Sequence, residues 1–239
     1  MRSNIKDIYC LIPAKDNSIG INKKNLIKFL GKSLVEWTFN SANKSIIQNK
    51  NIYVSSNSEL IIQKAKKYNI NSAYVRPKYL CKKNIHTINV VLHFIKYLKK
   101  NNLKIPYAIL MLLPTSPLRT FKDINKSINL FQKKNVDAVI GVTSLNKKIN
   151  NIRYIKKNNE LTYLNKKNLN LQRDRFKTLY AVNGAIFLAK TKMIEKYKTF
   201  HLEKASAFIM DEFSSIDVNY KEDLIIAKKY YKLINEKKN

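Results

Sequence analysis

Tyr107-Ala108-Ile109-Leu110-Met111-Leu112-Leu113 runs straight into Pro114-Thr115-Ser116-Pro117-Leu118-Arg119-Thr120, and this junction decides the fold. An almost wholly apolar run ended by a double-proline turn reads as a strand buried on both faces, as at the centre of a parallel sheet. The prolines fix the backbone just past the strand and hold the Thr, Ser and Arg side chains in one place. A rigid turn in which Thr120 caps the next helix accounts for the same residues.

On either side the chain has a βαβα rhythm, which predicts an α/β domain with a mainly parallel sheet. Ile8 to Ala14 reads as the first strand, Asn51 to Ser55 as the second and Ser72 to Val75 as a short third, ended by Arg76-Pro77. Helices are predicted over Leu34 to Ile46 and Glu59 to Tyr68. Ile88, Val91, Leu92, Ile95 and Leu98 recur at helical spacing, so Thr87 to Lys99 is an amphipathic helix. Beyond the junction come a helix at Asp123 to Lys133 and a strand at Ala138 to Thr143. Residues 146–177 change character: Asn and Lys dominate, and Ile152/Tyr154 and Leu161/Tyr163 alternate at short range, as in an excursion with a hairpin. Regular structure returns with Tyr180 to Ala189, followed by a helix at Lys192 to Tyr197 and a strand at Ala207 to Met210. A last helix at Lys221 to Ile234 turns Leu224, Ala227, Tyr231 and Ile234 inward. No repeat or Gly/Ser linker divides residues 1–239, so the expectation is a single domain.

Composition removes several classes. With 45% hydrophobic and 10% aromatic residues the chain is no disordered basic tail. No apolar run approaches the roughly 20 residues that span a bilayer, and Ile8 to Ala14, flanked by Asp7 and Asp16, is too short for a secretory signal. Cys10 and Cys81 alone give no disulfide framework, which points to a cytoplasmic protein. The net charge of +30 suggests a nucleic-acid partner, but six of the 46 basic residues are Arg and the rest Lys. Arg is the better residue for bidentate phosphate or base recognition, so the excess reads mainly as a solvated lysine background. The distribution says more. Between Glu59 and Asp123 there is no carboxylate against 13 basic residues, a natural lining for anions. Five of the 16 acids crowd into Asp211 to Asp223, either to hold a cation or to complement a helix N-terminus.

Ligands of open α/β sheets bind beyond the carboxyl ends of the strands, so the loops after the first and fourth strands are the places to look. The first, Lys15-Asp16-Asn17-Ser18-Ile19-Gly20-Ile21-Asn22-Lys23-Lys24-Asn25, has neither a GxGxxG nor a GK[ST] pattern. Asn17, Ser18 and Gly20 between lysines suit a phosphate cradle. They suit a plain surface loop equally.

Ile12-Pro13-Ala14-Lys15 through Lys24-Asn25-Leu26, together with Leu112 to Thr120, resembles the acylneuraminate cytidylyltransferase family, the CMP-sialic acid synthetases. Arg76-Pro77, Gln172-Arg173-Asp174 ahead of Tyr180 to Phe187, and Ser215-Ile216-Asp217-Val218-Asn219 ahead of Glu222-Asp223-Leu224 follow in the family's order. The resemblance implies a three-layer, Rossmann-like fold of the nucleotide-diphospho-sugar-transferase type, homodimeric, with residues 146–177 as an inserted dimerisation arm. It implies transfer of CMP from CTP to a sialic-acid-like nonulosonic acid, with Mg²⁺ as cofactor. Legionaminic, pseudaminic or eight-carbon keto-deoxy acids are alternative acceptors, and a weakened nucleotide-binding relative is an alternative to full activity.

Carried over by position, the resemblance assigns Lys15, Asn17, Ser18, Gly20, Lys24, Asn25, Arg76 and Thr87 to the nucleotide. It assigns Leu113, Arg173 and Asn183 to the sugar, Asp217 and Asn219 to the metal, and Lys24 and Asp217 to catalysis. Lys15, Ile19, Leu113 and Asn219 stand where the family usually has Arg, Lys, Gln and Asp. His86, His93 and His201 lie outside the matched motifs.

Overall fold

The computed structural model describes residues 7–16, 21–145, 152–164 and 178–236. The first half comprises β1 (Ile8–Pro13), β2 (Lys28–Phe29), β3 (Lys32–Ser33), α1 (Leu34–Asn43), β4 (Ile52–Ser55), α2 (Glu59–Lys67) and α3 (Thr87–Lys100). The second comprises β5 (Ala108–Met111), α4 (Phe121–Lys134), β6 (Ala138–Leu145), β7 (Arg153–Ile155), β8 (Leu161–Tyr163), β9 (Leu179–Lys190), α5 (Thr191–Tyr197), β10 (Ala205–Met210) and α6 (Lys221–Glu236).

The main sheet has the order β10-β6-β9-β5-β1-β4. β1 runs parallel to β4 and β5, and β10 parallel to β6, whereas β9 is antiparallel to both its neighbours. The sheet is therefore mainly parallel, as predicted, with β9 as its antiparallel strand. Alternation along β1 and β5 fills two separate cores: Ile8, Cys10, Ile12, Ala108 and Leu110 face α1, α2 and α4, while Tyr9, Leu11, Ile109 and Met111 face α3 and α5. That is the three-layer arrangement, and each Leu or Ile so buried contributes roughly 1.5–3 kcal/mol.

Helix starts follow their caps. Ser33 N donates to the Glu36 carboxylate at 2.9 Å ahead of α1. Thr120 N donates to Asp123 Oδ2 at 2.8 Å, and Thr120 Oγ1 accepts from Asp123 N, so the Pro-rich turn does end in the capping box that its sequence allows. Inside the excursion, β7 and β8 form the expected antiparallel hairpin. The expected strand at Ser72 to Val75 is reduced to two isolated bridges, Tyr53 with Asn71 and Ser56 with Val75. The β2–β3 hairpin lies between the first loop and α1, in a stretch to which the sequence reading assigns no element. On α6, Leu224, Ala227, Tyr231 and Ile234 all pack in the small core around Phe29, Leu34 and Val218.

One irregularity shapes the site. Ile140 pairs with Phe187, but Val142 pairs with Val182, so residues 183–186 of β9 bulge opposite the single residue Gly141. A Cβ on Gly141 would come within 2.6 Å of Asn183 Oδ1, so only glycine admits the bulge. At its crest Gly184 has φ +73°, the left-handed region that glycine enters at no steric cost. From there it faces Leu113 and the Asp217 carboxylate.

Candidate active site

A cleft of about 440 Å³ opens at the carboxyl ends of β1, β4 and β5, where an open α/β sheet binds its ligands. Lys15, Lys24, Asn25, Arg76, Thr87, Leu113, Asp217 and Asn219 all line it, segments scattered over more than 200 positions of sequence. Leu80, Ile85 and Val90 supply an apolar side, and Thr115 and Tyr220 complete the rim.

Each cationic side chain is held. Arg76 is buried; its Nε donates to Ser55 Oγ and its guanidinium to Ser55 O, both at 3.0 Å, so the end of β4 seats it. Lys15 Nζ donates to Lys82 O at 3.2 Å, and Asn25 Nδ2 donates to Lys15 O at 2.8 Å, tying the first loop together. Burial lowers the Lys15 ammonium from its ordinary value, and the nearby Arg76 charge lowers it further. Thr87 opens the 14-residue α3, whose positive dipole end and free N–H groups favour an anion in the cleft.

The acid-rich segment resolves into separate roles. Asp211 accepts from Ser214 N at 2.9 Å and closes its own turn. Asp223 Oδ2 accepts from Asn219 N at 2.7 Å and Tyr220 N at 2.8 Å, capping α6, so the helix-terminus reading holds for this acid. Asp217 alone turns to the cleft. Its loop is docked on the Pro-rich turn by Val218 N donating to Thr115 O at 2.8 Å. Asn219 Nδ2 donates to Asp217 Oδ2 at 2.7 Å, and Lys24 Nζ donates to Asn219 Oδ1 and to Val218 O, each at 3.0 Å. Burial lowers the Lys24 ammonium, with Asp217 and Asp223 acting in the opposite sense. Asp217 Oδ1 is buried and has no hydrogen-bond partner among the described residues, an unsatisfied acceptor of the kind that native structures rarely leave. Among the described residues no three His, Cys, Asp or Glu side chains gather.

Asn183, expected at the sugar, lies behind the cleft: Nδ2 donates to Ser215 Oγ at 2.9 Å and Oδ1 accepts from Ala185 N at 3.1 Å, which locks the β9 bulge. Asn219, expected as a metal ligand, has its amide oxygen occupied by Lys24. Asn17, Ser18, Gly20 and Arg173 lie outside the described residues. The sequence reading missed Arg119 as a structural centre. Buried, it donates to Leu113 O at 3.0 Å, Ala185 O at 2.9 Å and Thr38 Oγ1 at 2.9 Å, joining the Pro-rich turn, the bulge and α1 behind the cleft. Burial outweighs the pull of its neighbours and pushes its guanidinium down to about 10. An Arg between two prolines' turn and a cap was the available signal. Tyr220 carried none beyond its place next to Asn219.

A cationic cleft at the strand ends of this α/β fold, with one carboxylate in its lining, fits a nucleotidyltransferase, and the family match gives that class. Residues 9–238 match the cytidylyltransferase family, and the chain belongs to it. It is 26% identical over 227 residues to the pseudaminic acid cytidylyltransferase of Campylobacter jejuni subsp. jejuni serotype O:2, covering 95% of this chain and 97% of that one. To the N-acylneuraminate cytidylyltransferase of Escherichia coli it is 27% identical over 233 residues, 97% of this chain but 53% of the relative, about half its length. A solved structure of CMP:2-keto-3-deoxy-manno-octonic acid synthetase complexed with CTP shares the fold, with TM-score 0.66 at 11% identity over 96% of this chain and 99% of that one. Among the described residues no helix is long and apolar enough to cross a membrane.

Proposed function

We propose that the protein transfers CMP from CTP to the anomeric hydroxyl of a nonulosonic acid and releases pyrophosphate. The observation that carries this is the gathering of Lys15, Lys24, Arg76 and the α3 N-terminus around one cleft that Asp217 also lines. Three side-chain cations and a helix terminus suit a triphosphate, and in-line transfer at phosphorus is governed by positioning and charge neutralisation. In this reading Lys15, Lys24 and Arg76 hold the phosphates, and Asn25 keeps the Lys15 loop in place. The hydroxyl oxygen forms the new bond to the α-phosphorus as the bond to the β-phosphate oxygen breaks, and the hydroxyl proton leaves to solvent.

The chemistry of the donor set fits Mg²⁺, with Asp217 as its protein ligand beside the substrate phosphates. Bound there, the metal would neutralise the pyrophosphate leaving group and lower the pKa of the attacking hydroxyl. Leu113, Leu80, Ile85 and Val90 line part of the cleft with hydrocarbon, which suits deoxy and acylamino positions of an acceptor better than bare hydroxyls. Similarity along the full length of a pseudaminic acid cytidylyltransferase makes that sugar the first to try, followed by sialic and legionaminic acids. A pyrophosphate assay with CTP, Mg²⁺ and this panel tests the proposal; pyrophosphate from at least one acid supports it, and none from any acid removes it.

A homodimer belongs to the same reading. The β7–β8 hairpin leaves Ile155 71% and Leu161 68% exposed, apolar surface suited to a second copy. Light scattering in solution distinguishes a dimer from a monomer of 27.9 kDa.

A further inference from the structure

Arg76 lines the cleft without a carboxylate partner among the described residues, and two neutral oxygens of Ser55 seat it: Oγ and the carbonyl, both at 3.0 Å. Behind Ser55 the polar contacts continue through an otherwise apolar layer. Ser55 hydrogen-bonds the Tyr74 side chain, and the Tyr74 hydroxyl lies 2.8 Å from His93 Nδ1 on α3. Ser55 and Tyr74 are fully buried and His93 is partly buried. A guanidinium has donors only, so Ser55 Oγ accepts from Arg76. The Ser55 proton then goes to the Tyr74 oxygen and the Tyr74 proton to His93 Nδ1. That order requires a neutral His93 with its proton on Nε2. Val90 O, 3.5 Å from the Tyr74 hydroxyl, is a longer alternative acceptor.

We propose that Ser55, Tyr74 and His93 are positioning residues that fix the Arg76 guanidinium in the cleft, and that a proton on His93 weakens its hold on the nucleotide. This rests on the nucleotide assignment above. Protonated, His93 Nδ1 becomes a donor and meets the Tyr74 O–H head-on. The Tyr74 proton is left with Val90 O, at a long 3.5 Å, or with Ser55 Oγ, and either choice pulls the hydroxyl away from the arrangement that seats Arg76. Lys96 acts on His93 from its own helix, and the Tyr79 ring meets it edge-on at 6.1 Å from the turn at Lys78–Cys81. Tyr97 packs on Tyr74 at 5.1 Å, and Arg76, Tyr79 and Cys81 act on the Tyr74 phenol. Burial lowers the His93 imidazolium from its ordinary 6.5 and Lys96 lowers it further, so the chain is intact at neutral pH and breaks in acid. Burial pushes the Tyr74 phenol up, which keeps it a donor throughout.

The test has two arms. In nucleotide-free protein, ¹⁵N NMR reads the His93 ring nitrogens and the Arg76 Nε–H. At about pH 8 His93 should carry its proton on Nε2, and the Arg76 signal should shift as His93 titrates in the wild type but not in Tyr74→Phe. That variant keeps the ring contacts with Phe94 and Tyr97, and circular dichroism checks its fold. In the second arm, calorimetry gives CTP affinity. Tyr74→Phe and His93→Leu should weaken it by about three- to tenfold at about pH 8, the worth of one hydrogen bond, and His93→Asn, with an amide oxygen in place of Nδ1, should recover most of the loss. Between about pH 8 and about pH 5 the affinity of the wild type should fall relative to His93→Asn, a ratio in which the titration of CTP itself cancels. A His93 proton on Nδ1 at about pH 8, an Arg76 signal blind to His93, or unchanged affinity in Tyr74→Phe overturns the proposal. No CTP binding by the wild type removes the nucleotide assignment instead, while the Arg76 signal still decides whether the chain exists.

Discussion

Lys24 Nζ and Asn219 Oδ1 lie 3.0 Å apart, joining residues separated by 195 positions of sequence. The contact fastens the loop after β1 to the loop before α6, and these two segments supply the cation and the carboxylate of the cleft. Lys24 is 7% exposed, and burying an ammonium without a full salt bridge is unfavourable unless something else uses the charge. Lys24→Met should lower kcat/KM for CTP by about 10²-fold, the usual loss when one charge-stabilising group is removed from a reacting centre. Steady-state kinetics check this, and an unchanged value would detach Lys24 from the phosphates.

Arg119 carries a different load. Its guanidinium serves the carbonyls of Leu113 and Ala185 and the hydroxyl of Thr38, with no carboxylate among the described residues bonded to it. Arg119→Met strands those buried acceptors and should destabilise the fold by about 2–4 kcal/mol. Urea unfolding measures it; a loss under half a kcal/mol would show that the bonds are dispensable.

The glycines at the bulge give a second stability test. Gly184→Ala must hold a Cβ at φ +73°, a cost of about 1–2 kcal/mol. Gly141→Ala meets Asn183 Oδ1 at 2.6 Å and should cost about 1–3 kcal/mol through forced displacement of the bulge. Both should also reduce turnover, because Gly184 abuts Leu113 and Asp217. Unfolding curves run beside activity separate the two effects.

Glu36 sets an acid limit on stability. Burial raises its carboxyl, but hydrogen bonds from Ser33 and the ion pair with Lys64 at 3.0 Å outweigh it and hold the group below its ordinary value. A carboxylate with a lowered folded pKa stabilises fully above the unfolded value near 4.5, and that contribution disappears as pH falls through the folded value. Glu36→Gln should therefore be less stable than the wild type at pH 7, with the difference shrinking below about pH 4. Thermal melts across pH 3 to 7 give the comparison.

Much of the molecule was legible in sequence because its signals were local. The apolar run ending in Pro114 marked a central strand, alternating Ile152/Tyr154 and Leu161/Tyr163 marked the hairpin, and Thr120 marked a helix start. Features that failed depend on partners distant in sequence. The antiparallel direction of β9 is visible only in its pairing with β5 and β6, because a strand's residue pattern does not carry its direction. The bulge at 183–186 exists because Gly141, some forty positions earlier, lets the backbone approach. Ser72 to Val75 had strand-like residues, yet it meets β4 at isolated bridges only. In the site, motif order brought eight assigned residues to one cleft, while the partners of Asn183 and Asn219 could be read only from geometry.

The central claim is attack of the sugar's anomeric oxygen on the α-phosphorus of CTP. The most direct measurement uses an acceptor acid labelled with ¹⁸O at that hydroxyl, with CTP and Mg²⁺, and mass spectrometry of both products. The expected result is a CMP-sugar carrying the label in its phosphoester bridge, unlabelled pyrophosphate, and neither product from Asp217→Ala. A labelled pyrophosphate, a label-free CMP ester, or full activity in Asp217→Ala would contradict the assignment.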